Sequence, residues 1–190
     1  MSLNEFLEWE RDQSERFEYA RGVTTMMTGG SLDHSTIASN LWTALREGLR
    51  SSGCRAFRGD TKVIANNSIR YPDLTVTTCS PMRGGDDVVP EPIVVIEVIS
   101  PSTEREDRGR KKFDYFGTPS IRQYAIIEQD ERRIDVYTRA GEHWTDKIVA
   151  GDALLRLSSI GVGIPLDAIY EDTDLALTRR QAGARQGPSS

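Results

Sequence analysis

The apolar positions of this chain form one solid block and several periodic stretches. The block is Ile93-Val94-Val95-Ile96-Glu97-Val98-Ile99, bounded by Pro92 and Pro101. A β-branched run of this length, apolar on both alternating faces, predicts a central strand covered on both sides. Between residues 33 and 50, Ile37, Leu41, Leu45 and Leu49 recur at spacing four. That period predicts an amphipathic helix with Ser31 or Asp33 as its N-cap and a stop at Ser51-Ser52-Gly53. Two β-prone runs, 123–128 and 133–138, flank Gln129-Asp130-Glu131 and predict a hairpin, with a third strand over 144–149.

The intervening segments have weaker periodicity. Phe6, Trp9 and Phe17 among many charges predict a short surface helix, and Arg21-Gly22 marks the turn of a hairpin over 18–27. Residues 54–57 and 61–65 read as extended, and Asn66-Asn67-Ser68 as a turn into a strand opened by Asp73. Alternation sets Asp73, Thr75 and Thr77 on one face of that strand and Leu74 and Val76 on the other. The Gly- and Pro-rich loop over 81–90 returns the chain to the apolar block, which predicts antiparallel neighbours with their acids brought together. Thr103-Glu104-Arg105-Glu106 matches a capping box opening a helix to about Phe116, closed by Gly117 and Pro119. Asp107, Lys111 and Tyr115 share one face of that helix and the more apolar Gly109, Phe113 and Phe116 another. The stretch 154–169 reads as an extended edge with one helical turn. One domain over 1–180 and a frayed tail over 181–190 complete the expected organisation.

Composition narrows the function. A chain of 190 residues with 28% charged and 37% hydrophobic positions has the makings of an ordinary folded domain. A net charge of −5 excludes an overall basic field, so any phosphate contact has to be local. The start, Met1-Ser2-Leu3-Asn4-Glu5-Phe6, lacks a basic segment followed by an apolar one, and no stretch has the length or apolarity of a membrane span, which predicts a cytoplasmic protein. Cys54 and Cys79 are read as two reduced thiols rather than a disulfide framework or zinc site.

The chemistry centres on Glu97. A carboxylate inside a buried strand calls for a basic partner, a raised pKa or a bound cation. Asp73 is a second acid at a neighbouring strand, and Arg108-Gly109-Arg110-Lys111-Lys112 follows downstream. Two such carboxylates can hold a hard divalent cation while a lysine stabilises charge at a phosphodiester. Each residue also has a plainer reading. Glu97 pairs with Lys62 or an arginine, Asp73 caps a turn after Pro72, and Lys111 is a solvated helix charge paired with Asp107.

The order Pro72-Asp73, Glu97-Val98-Ile99-Ser100-Pro101-Ser102-Thr103, Asp107-Arg108-Gly109-Arg110-Lys111 and Pro119-Ser120-Ile121-Arg122-Gln123-Tyr124 resembles the Uma-type restriction endonucleases, a branch of the PD-(D/E)XK nuclease superfamily. The likeness extends to Glu18, Gly22, Met27-Thr28-Gly29-Gly30, His34, Asn40-Leu41, Ser159-Ile160-Gly161-Val162 and Pro165-Leu166. It implies an α/β (α+β) restriction-endonuclease-like fold, a central mixed sheet flanked by helices. It also implies a DNA endonuclease with a Mg or Mn site made by Asp73, Glu97 and the backbone carbonyl of Val98. In the superfamily's plain motif the lysine stands two residues after the acid, where this chain has Ile99. In the Uma branch the following helix supplies it, which carries the role onto Lys111, with the adjacent Lys112 as competitor. Glu18 and His34 are secondary candidates: Glu18 assists the site or pairs with Arg21, and His34 caps its helix or joins the site. A homodimer suits cuts on two strands. The alternative is an inactive nuclease-fold module that binds nucleic acid or protein.

Overall fold

The computed structural model describes residues 1–27, 29–78, 84–100 and 106–177. The apolar block forms β7 (Pro92–Ile99). It lies in a six-stranded sheet with β3 (Arg55–Arg58), β6 (Leu74–Thr77), β8 (Gln123–Glu128), β9 (Arg133–Ala140) and β10 (His143–Ala150), in the order β10-β9-β8-β7-β6-β3. Only β7 and β8 run parallel; the other neighbours are antiparallel. The expected central mixed sheet flanked by helices is therefore present.

The spacing-four helix is α2 (Leu32–Gly48), capped by Ser31, whose hydroxyl accepts from the His34 backbone N–H. Its Ile37, Leu41 and Leu45 are fully buried against Leu74, Val76, Val94, Ile96 and Val98 on one face of the sheet. Each such side chain contributes about 1.5–3 kcal/mol of burial, so this stripe anchors α2 and fixes where its N-terminus ends up. Two strands, β11 (Leu154–Leu157) and β12 (Val162–Pro165), and the single turn α4 (Leu166–Ile169) close the same core. The opposite face of the sheet packs Val95, Ile99, Tyr124 and Ile126 against Tyr115 and Ile121. Tyr115 comes from α3, a π-helical turn over Asp107–Lys111 that continues as α-helix over Lys112–Phe116.

A second, four-stranded sheet joins β1 (Phe17–Ala20), β2 (Val23–Met26), β4 (Val63–Ala65) and β5 (Ser68–Arg70) in the order β2-β1-β5-β4, with α1 (Leu3–Glu10) packed on it through Phe6. Here the structure departs from the sequence reading. The turn at Asn66-Asn67 closes the β4–β5 hairpin, with both residues at positive φ (46° and 62°), and does not lead directly into the Asp73 strand. Asparagines tolerate that left-handed conformation, which suits a tight hairpin. The chain leaves this sheet at Arg70, and Tyr71-Pro72-Asp73 carries it into β6 of the large one. The first three residues of the expected capping box, the tail over 181–190 and Cys79 lie outside the described residues. Among the described residues no helix is long and apolar enough to cross a membrane.

Candidate active site

The site forms where the strand ends of the large sheet meet the small sheet and α3. β6 pairs with β7 so that Leu74 faces Ile96, and continuing that register by one residue sets Asp73 opposite Glu97. Glu97 is 3% exposed and lies on the same face as Val95 and Ile99, beneath α3. From α3, Tyr115 donates its hydroxyl to Glu97 Oε1 at 2.7 Å, and Lys111 Nζ lies 3.2 Å from the same oxygen.

The orientation of α3, open in the sequence, is therefore decided by polar contacts. Asp107, Lys111 and Tyr115 face the sheet while Phe113 is 60% exposed. A buried carboxylate needs donors more than the core needs one further phenyl ring. Lys111 Nζ also lies 3.0 Å from Asp107 Oδ1 and 3.3 Å from Glu18 Oε1. It is thus a largely enclosed cation, its side chain 13% exposed, shared by three carboxyls rather than a solvated helix charge. Lys112 points elsewhere, with its ammonium 3.9 Å from the Tyr137 ring centroid and 5.2 Å from that of Phe116.

His34 reaches the site from the first turn of α2, with Nε2 3.2 Å from Asp73 Oδ1. A side chain at Gly30 would collide with that imidazole, since a Cβ there would stand 2.6 Å from Nδ1. Asp73 Oδ2 accepts the Val98 backbone N–H at 2.7 Å. Glu18, from β1, accepts from Arg70 Nη1 at 2.8 Å and from the Tyr71 N–H at 3.2 Å. Arg21, its expected partner, instead lies 3.5 Å from Asp114. Lys62, one expected partner of Glu97, is bound to Glu10 and Asp87 instead.

Acids outnumber cations here, and the protonation equilibria follow. Burial pushes the Glu97 carboxyl up to about 8; Lys111 opposes the shift while Asp107, Asp73 and Glu18 reinforce it. Burial alone would discharge Lys111, but Glu97, Glu18 and Asp107 outweigh it and hold the ammonium well above its ordinary pKa. Burial also opposes ionisation of Glu18, yet Lys111 and Arg70 keep its carboxyl below the usual range. The hydrogen bond to Asp73 raises the His34 imidazole against its partial burial, and a hydrogen bond to the Val98 backbone acts in the same direction.

Asp73, Glu97, Val98, His34, Glu18 and Lys111 all line one cleft of about 480 Å³. Sequence reasoning missed Arg70, which is 2% exposed and bridges Glu18 and Asp114 at 2.8 and 2.7 Å. Its signal was the position of an arginine directly before Tyr71-Pro72-Asp73. The donor set, several carboxyl oxygens with one backbone carbonyl nearby, fits a hard divalent cation. Yet among the described residues no three His, Cys, Asp or Glu side chains are gathered around one point.

Comparison with known proteins places this geometry in context. Residues 3–168 match the family model described as Uma2, putative restriction endonuclease. An uncharacterized protein of Synechocystis sp., slr1290, is 34% identical over 174 residues, covering 90% of this chain and 91% of that protein. A second from the same organism, sll1609, is 25% identical over 146 residues, covering 75% and 82%. The crystal structure of a putative nuclease of DUF820 from Anabaena variabilis superposes with a TM-score of 0.74 at 18% identity, covering 90% of this chain and 97% of that one. That last likeness is one of fold.

Proposed function

We propose that this chain, which belongs to the Uma2 family of restriction-endonuclease-like nucleases, hydrolyses phosphodiester bonds in DNA with the help of a divalent metal ion. The observation that carries the reading is the convergence of Asp73, Glu97 and Lys111 in one cleft with an excess of acid over base.

Asp73, Glu97 and the carbonyl of Val98 are the groups that would hold Mg or Mn. When bound, the ion supplies charge neutralisation and lowers the pKa of the attacking water. Lys111 keeps its proton and so offers a fixed positive charge to the oxygens of the scissile phosphate as their charge grows. Tyr115 and Lys111 of α3 hold Glu97 in place, and His34 steadies Asp73 from the side. Arg70 keeps Glu18 beside Lys111. For cuts on both strands the reading takes two chains about a two-fold axis, in the cytoplasm.

The test is incubation of the purified protein with supercoiled, linear and single-stranded DNA in manganese, beside Asp73→Ala. Nicking by the parent and none by the variant is the expected result; silence from both, or equal nicking by both, overturns it. A second reading, a binding module without hydrolysis, is favoured by the internal engagement of both Asp73 oxygens, by Val98 N–H and His34. Calorimetric titration with manganese separates the two, since the module reading expects no uptake at millimolar metal.

A further inference from the structure

One face of the molecule beside the cleft runs against the overall acidity. Along the solvent side of α2, the turn that follows it and the neighbouring edge strand β3 stand four exposed arginines: Arg46 and Arg50 on one flank, Arg55 and Arg58 on the other. Most buried or half-buried cations of this protein meet a carboxylate, as Arg70, Arg108 and Lys62 do. Among the described residues these four make no ion pair with an acid. Three of them lie over aromatic rings instead. The Arg46 and Arg58 guanidiniums lie 5.0 and 5.8 Å from the same indole, Trp42, and Arg55 lies 5.2 Å from the Phe57 ring. Arg58 also donates to the Ser39 hydroxyl, which ties β3 to α2. Glu47 is the acid of the groove beside Trp42, and the nearby Asp60 is held by Arg16 at 2.7 Å.

The placement relative to the cleft gives the patch a direction. Arg58 pairs in register with Leu74, the residue after Asp73, and Gly59 lies against the Pro72–Asp73 backbone. The other flank begins at His34 in the site and follows α2 through Trp42 to Arg46 and Arg50. A helix of 17 residues spans about 25 Å, the length of about seven nucleotides in a duplex strand. Guanidiniums held over aromatic rings are preorganised for phosphate oxygens and for stacked bases.

We propose that this face binds the phosphodiester backbone of a nucleic-acid strand as it leaves the carboxylate cleft. The proposal rests on the nuclease reading for what lies in the cleft, but its charge argument stands by itself. Unpaired with acids among the described residues of a chain of net charge −5, these arginines supply the local phosphate contact that the overall charge cannot.

The experiment is fluorescence anisotropy in EDTA, with a labelled DNA duplex longer than the face, its single strand and the matching RNA, over about 50–200 mM salt. The double variant Arg46→Ala/Arg58→Ala should lower the slope of log affinity against log salt by about 1.8, since each phosphate contact contributes about 0.9 in duplex DNA. Affinity at about 0.1 M salt should fall about tenfold or more. Arg46→Lys/Arg58→Lys should keep the slope, Lys147→Ala on the opposite edge strand should leave it unchanged, and all variants should melt with the parent. An unchanged slope in the alanine variant overturns the proposal, as does a parent that binds none of the three nucleic acids. Equal dependence on these arginines for anionic lipid vesicles, with stronger binding there, also overturns it. Arginine-dependent binding here, with no cleavage in the manganese assay, would sink the hydrolysis reading and leave this face standing.

Discussion

Two lysines, Lys62 buried and Lys111 half-buried, divide the polar interior of this protein, and they are held in opposite ways. Lys62 Nζ lies 2.7 Å from Glu10 and 2.8 Å from Asp87, and Glu10 accepts a further bond from the Tyr71 hydroxyl at 2.6 Å. Lys111 Nζ lies 3.0, 3.2 and 3.3 Å from Asp107, Glu97 and Glu18. The first cluster has short contacts and sits where α1 and the small sheet meet; its job is finished when the fold is. The second has longer contacts, shares one ammonium among three carboxyls and opens to the cleft. Burial and surrounding acids leave Glu97 reluctant to ionise. A carboxyl that burial and neighbouring acids hold back from ionising is what the metal reading of the cleft expects, and a structural ion pair lacks it.

The largest effect should come from breaking the finished cluster. Lys62→Met leaves the buried Glu10 without its cation, the Tyr71 hydroxyl still donating to it, and removal of one partner of a buried pair typically costs about 3–5 kcal/mol. Urea denaturation measures it. A loss below about 1 kcal/mol would mean that the short contacts do not mark a structural staple.

Lys111→Met should destabilise less, by about 1–2 kcal/mol, because Glu97 can respond by taking up a proton and Arg70 still holds Glu18. Its signature is functional instead. Loss of a charge aimed at the reacting phosphate should lower the cleavage rate about 10²- to 10³-fold while metal uptake persists. A variant that cleaves like the parent would remove Lys111 from the chemistry and make the two lysines equivalent.

The third effect is a pH dependence that only the open cluster should show. The Glu97 carboxyl titrates near 8 in the fold and near the ordinary value of about 4.3 in the unfolded chain. The folded state therefore binds this proton more tightly. Its contribution to stability is fully present below about pH 4 and is lost as the pH rises to about 8. Glu97→Gln does not titrate and keeps an oxygen for Tyr115 and Lys111. In a chelator its melting temperature should exceed the parent's at pH 9 and converge with it, or fall below, at pH 5. A difference that does not change with pH would show that Glu97 carries no such strain.

How far this contrast could be read beforehand depends on which periodicity is strong. The spacing-four stripe of α2, the block of β7 and the β8–β9 hairpin were legible because each buries a regular apolar pattern whose period fixes the element. Asp73 and Glu97 were legible together because an antiparallel return brings their strands side by side. β5 was not, because its three residues, Ser68-Ile69-Arg70, are buried by a small sheet assembled from segments remote in sequence. The inward face of α3 was not legible for an electrostatic reason. Amphipathic periodicity assumes that apolar residues face the core, and here the core presents a carboxyl that selects the polar side. Arg70 belongs to the same class, a charge buried by partners that sequence spacing does not reveal.

The smallest expected effect concerns the residue next to Lys111. Lys112 lies over the rings of Tyr137 and Phe116 rather than among the carboxyls, although one residue separates the two backbones by only 1.5 Å along a helix axis. A rotation of about 100° about that axis turns its side chain out of the cleft. Lys112→Ala therefore removes a cation–π contact worth about 0.5–1 kcal/mol and should leave cleavage and metal affinity within about threefold of the parent. Melting curves and cleavage rates for Lys111→Met and Lys112→Ala should diverge in opposite senses: a modest melting shift with lost activity for the first, a smaller shift with retained activity for the second. If activity instead disappears with Lys112 and survives without Lys111, the ammonium that serves the phosphate comes from the aromatic face. The acids around Lys111 would then be a second structural cluster, of the same kind as that at Lys62.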